Sequence, residues 1–468
     1  MPKLPEEWKW ARLGEIHILK SEKHTGSGES LFYVGLEHIK KDRGTLTEFV
    51  KIDVINTVKN SFKVGDLLYG KLRPYLNKVY LANEDGVCST DILVFESNPS
   101  LNLNYSKYFF LSYKFVNDMT HNSSGVNLPR VSTKYLLEYP FPLCPLPEQR
   151  AIISKIELLF SELDNGIANL KLAQEQLKVY RQAVLKKAFE GELTRKWRER
   201  QRDLPDAWDL LEQIRVEREE AAKLSGKKQK LIKPLTEAEL AGLPKMPEGW
   251  IWVRLDAIGE LFCGQSPSIT EVNLERRGIL YVTGPEQWDG SKIKETKWTE
   301  FPKRLVPEGC IFITVKGAGV GKTFPGISCA IGRDIYAFLP SSKVDFKYTI
   351  HALIHQIDVV IMKAQGDIPG LSKDHILDHY IGLCSIEEQH AIVQEIEIRL
   401  SVCDKIEQDI EENLIKAEAL RQSILKKAFE GKLLNERELA EVRRAEDWEP
   451  AEVLLEKIRA ERVGKLFI

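Results

Sequence analysis

Residues 147–193 are PEQRAIISKIELLFSELDNGIANLKLAQEQLKVYRQAVLKKAFEGEL, and residues 387–433 are EEQHAIVQEIEIRLSVCDKIEQDIEENLIKAEALRQSILKKAFEGKL. The two copies stay aligned throughout, and QAVLKKAFEGEL in the first corresponds to QSILKKAFEGKL in the second. Composition alone does not produce a match of this length, so it indicates an internal duplication. We therefore expect one architecture built twice.

Apolar residues recur every three or four positions through both copies, the heptad pattern of helices that pack together. In the first copy the predicted seam is Ile152, Ile156, Leu159, Leu163, Gly166, Leu170, Ala173, Leu177, Tyr180 and Val184. In the second it is Ile392, Ile396, Ile406, Ile410, Ala417, Leu420 and Ile424, interrupted by Arg399, Cys403 and Asn413. Gly191 and Gly431 are natural helix stops. We expect two helices, each about 60 Å long, that pack against each other in antiparallel orientation.

Two shorter repeats frame the long one. LPEEWKWARLGEI at 4–16 matches MPEGWIWVRLDAI at 246–258, and LLEQIRVER at 210–218 matches LLEKIRAER at 454–462. The intervening bodies, 17–140 and 259–380, differ far more, although VGDLL at 64–68 corresponds to PEGCI at 307–311. Short β-branched and aromatic runs separated by Gly, Pro, Asn and Asp predict strands, and 104–118 and 348–362 predict helices. Each body is predicted to be a mixed α/β domain.

Composition excludes several classes of protein. The formal charge of −2 over 468 residues argues against a uniformly basic nucleic-acid coat. The seven cysteines include no CxxC pair, which argues against a zinc ribbon or a thioredoxin-type site and is typical of reduced thiols. The N-terminal MPKLPEEWKW is not a signal sequence, and no apolar stretch is long enough to span a bilayer. We expect a cytoplasmic protein.

Three patterns that suggest catalysis fail on inspection. GAGVGKT at 317–323 is one residue short of a P-loop and is followed by Phe-Pro-Gly, which cannot begin the phosphate-binding helix. His351/His355 and His375/His379 have i,i+4 spacing but lack the glutamate of HExxH. Asp289, Glu295 and Lys297 lie in a segment that is polar throughout, unlike the buried strand of a metal-dependent nuclease. We therefore predict a chain without catalytic residues, and without a metal site or cofactor of its own.

The ordered motifs resemble the specificity subunit of type I restriction-modification systems. The resemblance rests on the LPEEW and MPEGW openings, the EQ(R/H)AI helix entries and the LKKAFEGxL helix ends, and it covers essentially the whole chain. It implies two target-recognition domains, each reading one half of a split, asymmetric DNA site, separated by two conserved antiparallel helices. It also implies that these helices dock two methyltransferase subunits, which motor-nuclease subunits then join. S-adenosylmethionine, ATP and Mg would be bound by those partners.

The resemblance divides the chain into six segments. They are a first target-recognition domain (1–146), a first coiled-coil spacer helix (147–193), a short helix and linker (194–245), a second target-recognition domain (246–386), a second spacer helix (387–433) and a C-terminal short helix (434–468). The resulting fold class is α/β (α+β), with a pseudo-two-fold internal repeat. The linker is predicted around Ser225 to Pro234, because that stretch is rich in charge and poor in large apolar residues.

Candidate DNA contacts are basic, amide and hydroxyl side chains in loops beside the strands, since such groups bind phosphates or base edges. In the first body they are Lys71, Arg73, Tyr75, Asn77, Lys78, Asn122, Ser123, Asn127, Arg130 and Lys134. In the second they are Gln287, Lys316, Lys322, Lys363, Gln365 and Lys373. An ordinary surface role is the alternative for each of them.

Candidate partner-docking residues are apolar positions off the seam or near the helix ends, namely Phe160, Ile167, Phe189 and Phe429. The alternative is that they cover the helix pair from within the same protein. For the whole chain, the alternative is a coiled-coil scaffold whose α/β domains bind other proteins.

Overall fold

The architecture is taken from a computed structural model, which describes residues 3–24, 30–52, 57–226, 234–317, 319–362 and 370–466. The chain forms two compact units. The first comprises Met1–Lys171 and Ile410–Ile468, and the second comprises Leu172–Asp409. Most of the predicted linker, residues 227–233, lies outside the described residues.

The strands are short, and some of them, but not all, fall at the predicted β-branched and aromatic runs. In the first unit they are β1 (Lys9–Arg12), β2 (Lys23–His24), β3 (Leu31–Val34), β4 (Val50–Ile52), β5 (Lys59–Phe62), β6 (Leu67–Gly70), β7 (Val79–Leu81), β8 (Gly86–Cys88), β9 (Ile92–Phe95), β10 (Ser123–Ser124), β11 (Arg130–Val131) and β12 (Pro140–Leu143). In the second they are β13 (Ile251–Arg254), β14 (Gly259–Cys263), β15 (Val272–Asn273), β16 (Ile279–Val282), β17 (Trp298–Thr299), β18 (Leu305–Val306), β19 (Ile311–Thr314), β20 (Thr323–Pro325), β21 (Cys329–Ile331), β22 (Ile335–Pro340) and β23 (Tyr380–Leu383).

The helices include the two long ones predicted from the repeat. In chain order they are α1 (Leu13–Ile16), α2 (Leu103–Phe110), α3 (Tyr113–His121), α4 (Thr133–Glu138), α5 (Leu146–Phe189), α6 (Arg195–Arg198), α7 (Ala207–Ser225), α8 (Glu237–Ala241), α9 (Leu255–Ile258), α10 (Phe346–Met362), α11 (Lys373–Leu377), α12 (Ile386–Phe429), α13 (Glu436–Val442) and α14 (Ala451–Leu466), with 3-10 turns at Pro74–Leu76, Ile269–Glu271 and Pro285–Gln287. The helix predicted over 104–118 is two helices, because Ser112 has an extended backbone that begins α3 anew. Among the described residues, no helix is long and apolar enough to cross a membrane.

Each unit contains a five-stranded sheet and a smaller sheet. In the first, a five-stranded sheet has the order β2-β5-β8-β3-β4 and a smaller one the order β7-β6-β9. In the second, the orders are β15-β17-β16-β21-β18 and β14-β22-β19-β20. Each large sheet has one parallel pair near its centre, β3 with β8 and β16 with β21. The large sheets therefore share a central strand order, β5-β8-β3-β4 and β18-β21-β16-β17, that the sequences barely show, although the fifth strand lies at opposite edges. The mixed α/β prediction is confirmed.

The long helices begin and end in the same way. Gln149 and Gln389 donate from Nε2 to the carbonyls of Cys144 and Cys384, both at 2.9 Å, which caps the strand that leads into each helix. Gly191 and Gly431 adopt left-handed backbone (φ 73° and 70°) just past the helix ends. There the amide after each glycine bonds five residues back, from Glu192 to Lys187 and from Lys432 to Lys427, as in a Schellman stop. Both stops agree with the prediction.

The long helices pack antiparallel within each unit. In the first, Asp164 pairs with Arg421, whereas Lys155, nearer the start of α5, pairs with Glu438 beyond the end of α12. In the second, Arg181 pairs with Asp404, and residues just past α5 bond to Glu388 at the start of α12. This arrangement confirms the predicted helix pair.

The predicted seam is half right. Ile156 and Val184 on α5, and Ile410, Ala417 and Ile424 on α12, are buried as predicted. The companion row, every seventh residue from Ile152 in α5 and from Ile392 in α12, begins as predicted, with both isoleucines buried. Farther along it lies one residue later than predicted, so Gly166, Tyr180, Ile406 and Leu420 are exposed, while Arg421 is buried. Cys403, predicted to interrupt the seam, is buried and belongs to it. A straight α-helix has 3.6 residues per turn and drifts from a 3.5-residue repeat, which accounts for the shift.

Candidate nucleic-acid interface

Two predicted segments of the first unit, 71–78 and 122–134, lie side by side. The Lys71 amide donates to the Asp91 carbonyl at 3.0 Å, and the Lys71 carbonyl accepts from the Val131 amide at 3.1 Å. The Arg73 amide donates to the Pro129 carbonyl at 2.7 Å. These bonds fix the β10–β11 hairpin against the loop after β6, so the structure brings together most of the candidate residues of this unit.

Two residues of this loop have strained backbone, and so does Asp42, which the loop contacts. Asp42, Arg73 and Asn77 are non-glycine residues with left-handed backbone, at φ 59°, 51° and 45°. Such conformations are uncommon outside glycine and persist where the surroundings enforce them. The Asn77 side chain donates to the Asp42 carboxylate at 3.0 Å and holds the loop in place.

Several candidate side chains point to solvent. Arg73, Tyr75, Asn127, Arg130 and Lys134 are exposed. Val126, at the hairpin tip, is 99% exposed although it is apolar. This edge of the first unit therefore offers cationic, amide and apolar groups to a ligand.

Other candidates in the first unit have their side chains engaged. Asn77 is 1% exposed, which argues against the predicted base contact. Lys78 is partly buried and donates to the carbonyl of Ile39, and burial lowers its pKa. Asn122 and Ser123 donate to carbonyls at the end of α3, at 2.9 and 2.7 Å, while Lys71 is half-buried beside the hairpin. These residues shape the loops, and their contact with DNA stays a prediction.

The second unit repeats the same backbone arrangement. The Val315 amide donates to the Asp334 carbonyl at 2.9 Å, and the Val315 carbonyl accepts from the Leu371 amide at 2.9 Å. Lys316, which forms an isolated bridge with Gly370, is exposed, as are Lys322 and Lys373. These three predicted lysines thus lie in or beside the segments of the second unit that correspond to the loop and hairpin of the first.

The remaining candidates of the second unit are Gln287, Lys363 and Gln365. Gln287 is 1% exposed: its Oε1 accepts from the Thr283 amide at 2.7 Å, and its Nε2 donates to the Tyr281 carbonyl at 3.1 Å. Because its own turn uses the side chain, the structure argues against a base contact there. Lys363 and Gln365 lie outside the described residues.

Asp91 is a site residue that the sequence did not single out. Its carboxylate oxygens accept from Arg130 Nε at 3.0 Å and Nη2 at 3.2 Å, and this pairing raises the pKa of the guanidinium. Asp91 begins the run DILVF, and Asp334 begins the corresponding run DIYAFL. The sequence signal that could have identified Asp91 is an acidic residue directly before the same strand in both bodies.

Three of the four predicted docking residues lie in the cores. Phe160 packs edge-on against Tyr108, Phe189 against Tyr348, and Phe429 against Tyr105. Ile167 is half-buried, in the row where the shifted seam places it. These positions favour the alternative, in which the residues cover the helix pair from within the same protein.

The long helices nevertheless expose apolar side chains elsewhere. In the first unit these are Leu158, Ile415 and Leu420, and in the second Leu172, Val179, Tyr180, Ile398, Val402 and Ile406. Placing the seam one residue later in the sequence would have identified Tyr180, Ile406 and Leu420 as outward-facing.

The patterns rejected as catalytic have structural uses. Thr323 of GAGVGKT begins strand β20, and no helix follows the loop within 319–325. His355 stacks on Phe189, and Asp289 accepts from the amides of Ser291 and Lys292 within its own turn. Across the described residues, no group of three or more His, Cys, Asp or Glu side chains is arranged to hold a metal ion.

Comparison with known proteins adds an independent line of evidence. Residues 5–172 match the model of the type I restriction modification DNA specificity domain. The EcoDI specificity subunit of Escherichia coli is 22% identical over 99% of this chain and 97% of its own length, and the EcoBI specificity subunit is 24% identical over 77% and 73%.

Solved structures share the fold. A chain from a study of complex assembly and conformational transition of the type I R-M system has a TM-score of 0.74 at 22% identity, covering 92% of this chain and all of that one. The HsdS subunit of Thermoanaerobacter tengcongensis has a TM-score of 0.59 at 22% identity, covering 92% and 98%.

Proposed function

We propose that the chain is a specificity subunit of the type I restriction-modification class, and that each of its two units recognises one half of a split, asymmetric DNA site. Specificity subunits of this class bind DNA and assemble with the other subunits of the complex. The chain itself performs no catalysis. Sequence selection, rather than chemistry, is its contribution.

One observation carries the proposal for two unlike half-sites. The same ladder of backbone hydrogen bonds occurs in both units, at Lys71 in the first and at Val315 in the second, but the residues of the ladder carry different side chains. Arg130 on the first ladder corresponds to Gly370 on the second. Base edges are distinguished by the side chains presented to them, so equal scaffolds with unequal side chains would select different sequences.

We propose that α5 and α12 set the gap between the half-sites. Each is a 44-residue helix that begins in one unit and ends in the other. Inserting or deleting one helical turn within 152–185 should change the number of base pairs between half-sites and leave the half-sites unaltered. Altered half-sites with a constant gap would contradict this role.

The proposed partners are two methyltransferase subunits docked on the long helices, joined by motor-nuclease subunits. The outward apolar residues of α5 and α12 supply the kind of surface that such docking buries, since exposed apolar patches often mark interaction sites. S-adenosylmethionine, ATP and Mg belong to those partners in this proposal, and the chain binds none of them.

The proposal is tested by exchanging residues 17–140 for the corresponding body of a relative with a different target. Methylated sites should then change in one half only, with the other half and the gap preserved. Binding by the complex should also weaken steeply as salt rises, because phosphate contacts release counterions. Changes in both halves, or a complex that binds DNA without sequence preference, would refute the proposal.

A further inference from the structure

The Arg130 guanidinium is held in one orientation. Asp91 accepts from its Nε and Nη2 atoms at 3.0 and 3.2 Å, a two-pronged contact along one side of the planar group. Nη1 is 3.4 Å from the Leu128 carbonyl, a long hydrogen bond. Because Nε and Nη2 serve the carboxylate, the outer edge formed by Nη1 and Nη2 keeps hydrogens for a second planar acceptor.

Both members of the pair are fixed through the backbone. Asp91 and Val131, the residue after Arg130, hydrogen-bond to the two sides of Lys71. The Pro129 carbonyl, just before Arg130, accepts from the Arg73 amide at 2.7 Å. An arginine on such a ladder loses little conformational entropy when it binds, and its donors are already placed.

The pair is not explained by stability. The Arg130 side chain is 45% exposed, and ion pairs at that exposure contribute little to folding. Its neighbours at the hairpin, Val126 and Asn127, are exposed as well. The oriented guanidinium therefore faces outward, among groups suited to a nucleic-acid groove.

We propose that Arg130, positioned by Asp91, recognises a guanine in the half-site read by the first unit, by donating to O6 and N7 in the major groove. A planar fork of two N–H donors matches these two acceptors, and guanine presents them side by side. The inference rests on the proposed function of the two units.

The second unit has no arginine at the position that corresponds to Arg130. Asp334 occupies the ladder position of Asp91, but Gly370 stands opposite Lys316 where Arg130 stands opposite Leu72. The arginine-based contact is therefore confined to one half-site, and the second unit selects its sequence by other side chains.

The test uses the full complex with its methyltransferase subunits and S-adenosylmethionine, and maps methylated sites at single-molecule resolution. With Arg130→Gln, methylation of sites altered at one guanine of one half-site should rise about ten- to hundredfold relative to the parent site. The other half-site and the gap should not change. Arg130→Lys should relax the same position, because lysine keeps the charge but loses the fork.

Asp91 is tested as a positioning residue. Asp91→Asn should relax the same guanine position, and Asp91→Glu should restore selectivity in part, a pattern that a purely structural residue would not give. Arg43→Gln is the matched control, since Arg43 is an exposed arginine paired with Glu418 in the same unit, and it should leave the site unchanged.

Other outcomes separate the inference from its premise. An equal loss of methylation at all sites in Arg130→Gln, with normal selectivity in Arg130→Lys, would identify a phosphate contact and overturn the inference. An unchanged site in every Arg130 variant would overturn it too. A parent complex that methylates no split site would instead refute the proposed function.

Discussion

The Trp8 indole donates from Nε1 to Glu148 Oε2 at 2.7 Å, and Trp250 makes the same bond to Glu388 at 2.9 Å. Each tryptophan opens a unit, and each glutamate lies in the first turn of a long helix. Both carboxylates are almost fully buried, at 1% and 2% exposure. The repeat in the sequence is thus a repeat of one contact that joins the start of a body to the helix that leaves it.

Removing either carboxylate should destabilise its unit. Glu148→Ala leaves the buried Trp8 N–H without its acceptor and should lower the free energy of unfolding by about 2 kcal/mol. Glu388→Ala should cost more, about 3 kcal/mol, because Arg198 loses an ion-pair partner at 2.7 Å, a closer pair than the 3.5 Å contact between Arg443 and Glu148. Denaturant unfolding followed by tryptophan fluorescence measures both. Exposed Glu162→Ala is the control and should change stability little; equal effects in all three variants would contradict the assigned role.

The register of the helix seam gives a second prediction. Arg421 is 5% exposed, pairs with Asp164 and lies 4.3 Å from the Phe160 ring centroid, whereas Leu420 is 51% exposed. Arg421→Ala should therefore lower the unfolding free energy by about 2 kcal/mol, through lost packing, pairing and cation–π contact. Leu420→Ala should change it by under about 0.5 kcal/mol. If Leu420→Ala lowered the melting temperature more than Arg421→Ala does, the seam predicted from the heptads would be correct.

The repeat was enough to predict the long helices, their stops and their antiparallel packing, because a heptad pattern over about 40 residues is a strong signal. It did not predict the companion row, since the choice between Leu420 and Arg421 depends on helical drift and on a polar partner across the seam. Loop residues were harder. The sequence proposed Arg130, but Asp91 lies 39 residues away, and only the fold brings the two together.

Partner docking should depend on the outward apolar residues of the second unit. Val402→Asp, alone or with Val179→Asp, should weaken association with methyltransferase subunits at least tenfold, because a charge would be buried in the contact. Stability of the free chain should change little, since both side chains are exposed. Analytical ultracentrifugation of the mixed subunits measures the loss. The substitution Ser401→Asp, at an exposed residue about 100° round the same helix from Val402, adds the same charge and is the control for charge alone. Full assembly by the Val402 variant would exclude this face.

His17 should make the first unit sensitive to acid. It is fully buried against Phe95, Phe110 and Phe141, and burial lowers its pKa from 6.5 to about 3. Between these values the unfolded chain binds a proton that the folded chain does not. Stability is therefore complete above about pH 6.5 and falls as pH drops toward 3, by up to about 1.4 kcal/mol per pH unit from this group.

His17→Leu should flatten that pH dependence, whereas His121→Leu, at an exposed histidine of the same unit, should not. Unfolding midpoints measured between pH 7 and pH 4 give the comparison. An equal slope in the His17 variant and the parent would show that other groups cause the acid sensitivity.

The central claim is that the two units, which carry different side chains, together select a split DNA site. Single-molecule mapping of methylation in cells that express the complex tests it most directly. The account predicts that every methylated site contains two different half-sites separated by an invariant number of unspecified base pairs. A continuous site, two identical half-sites, or a gap that varies from site to site would contradict it.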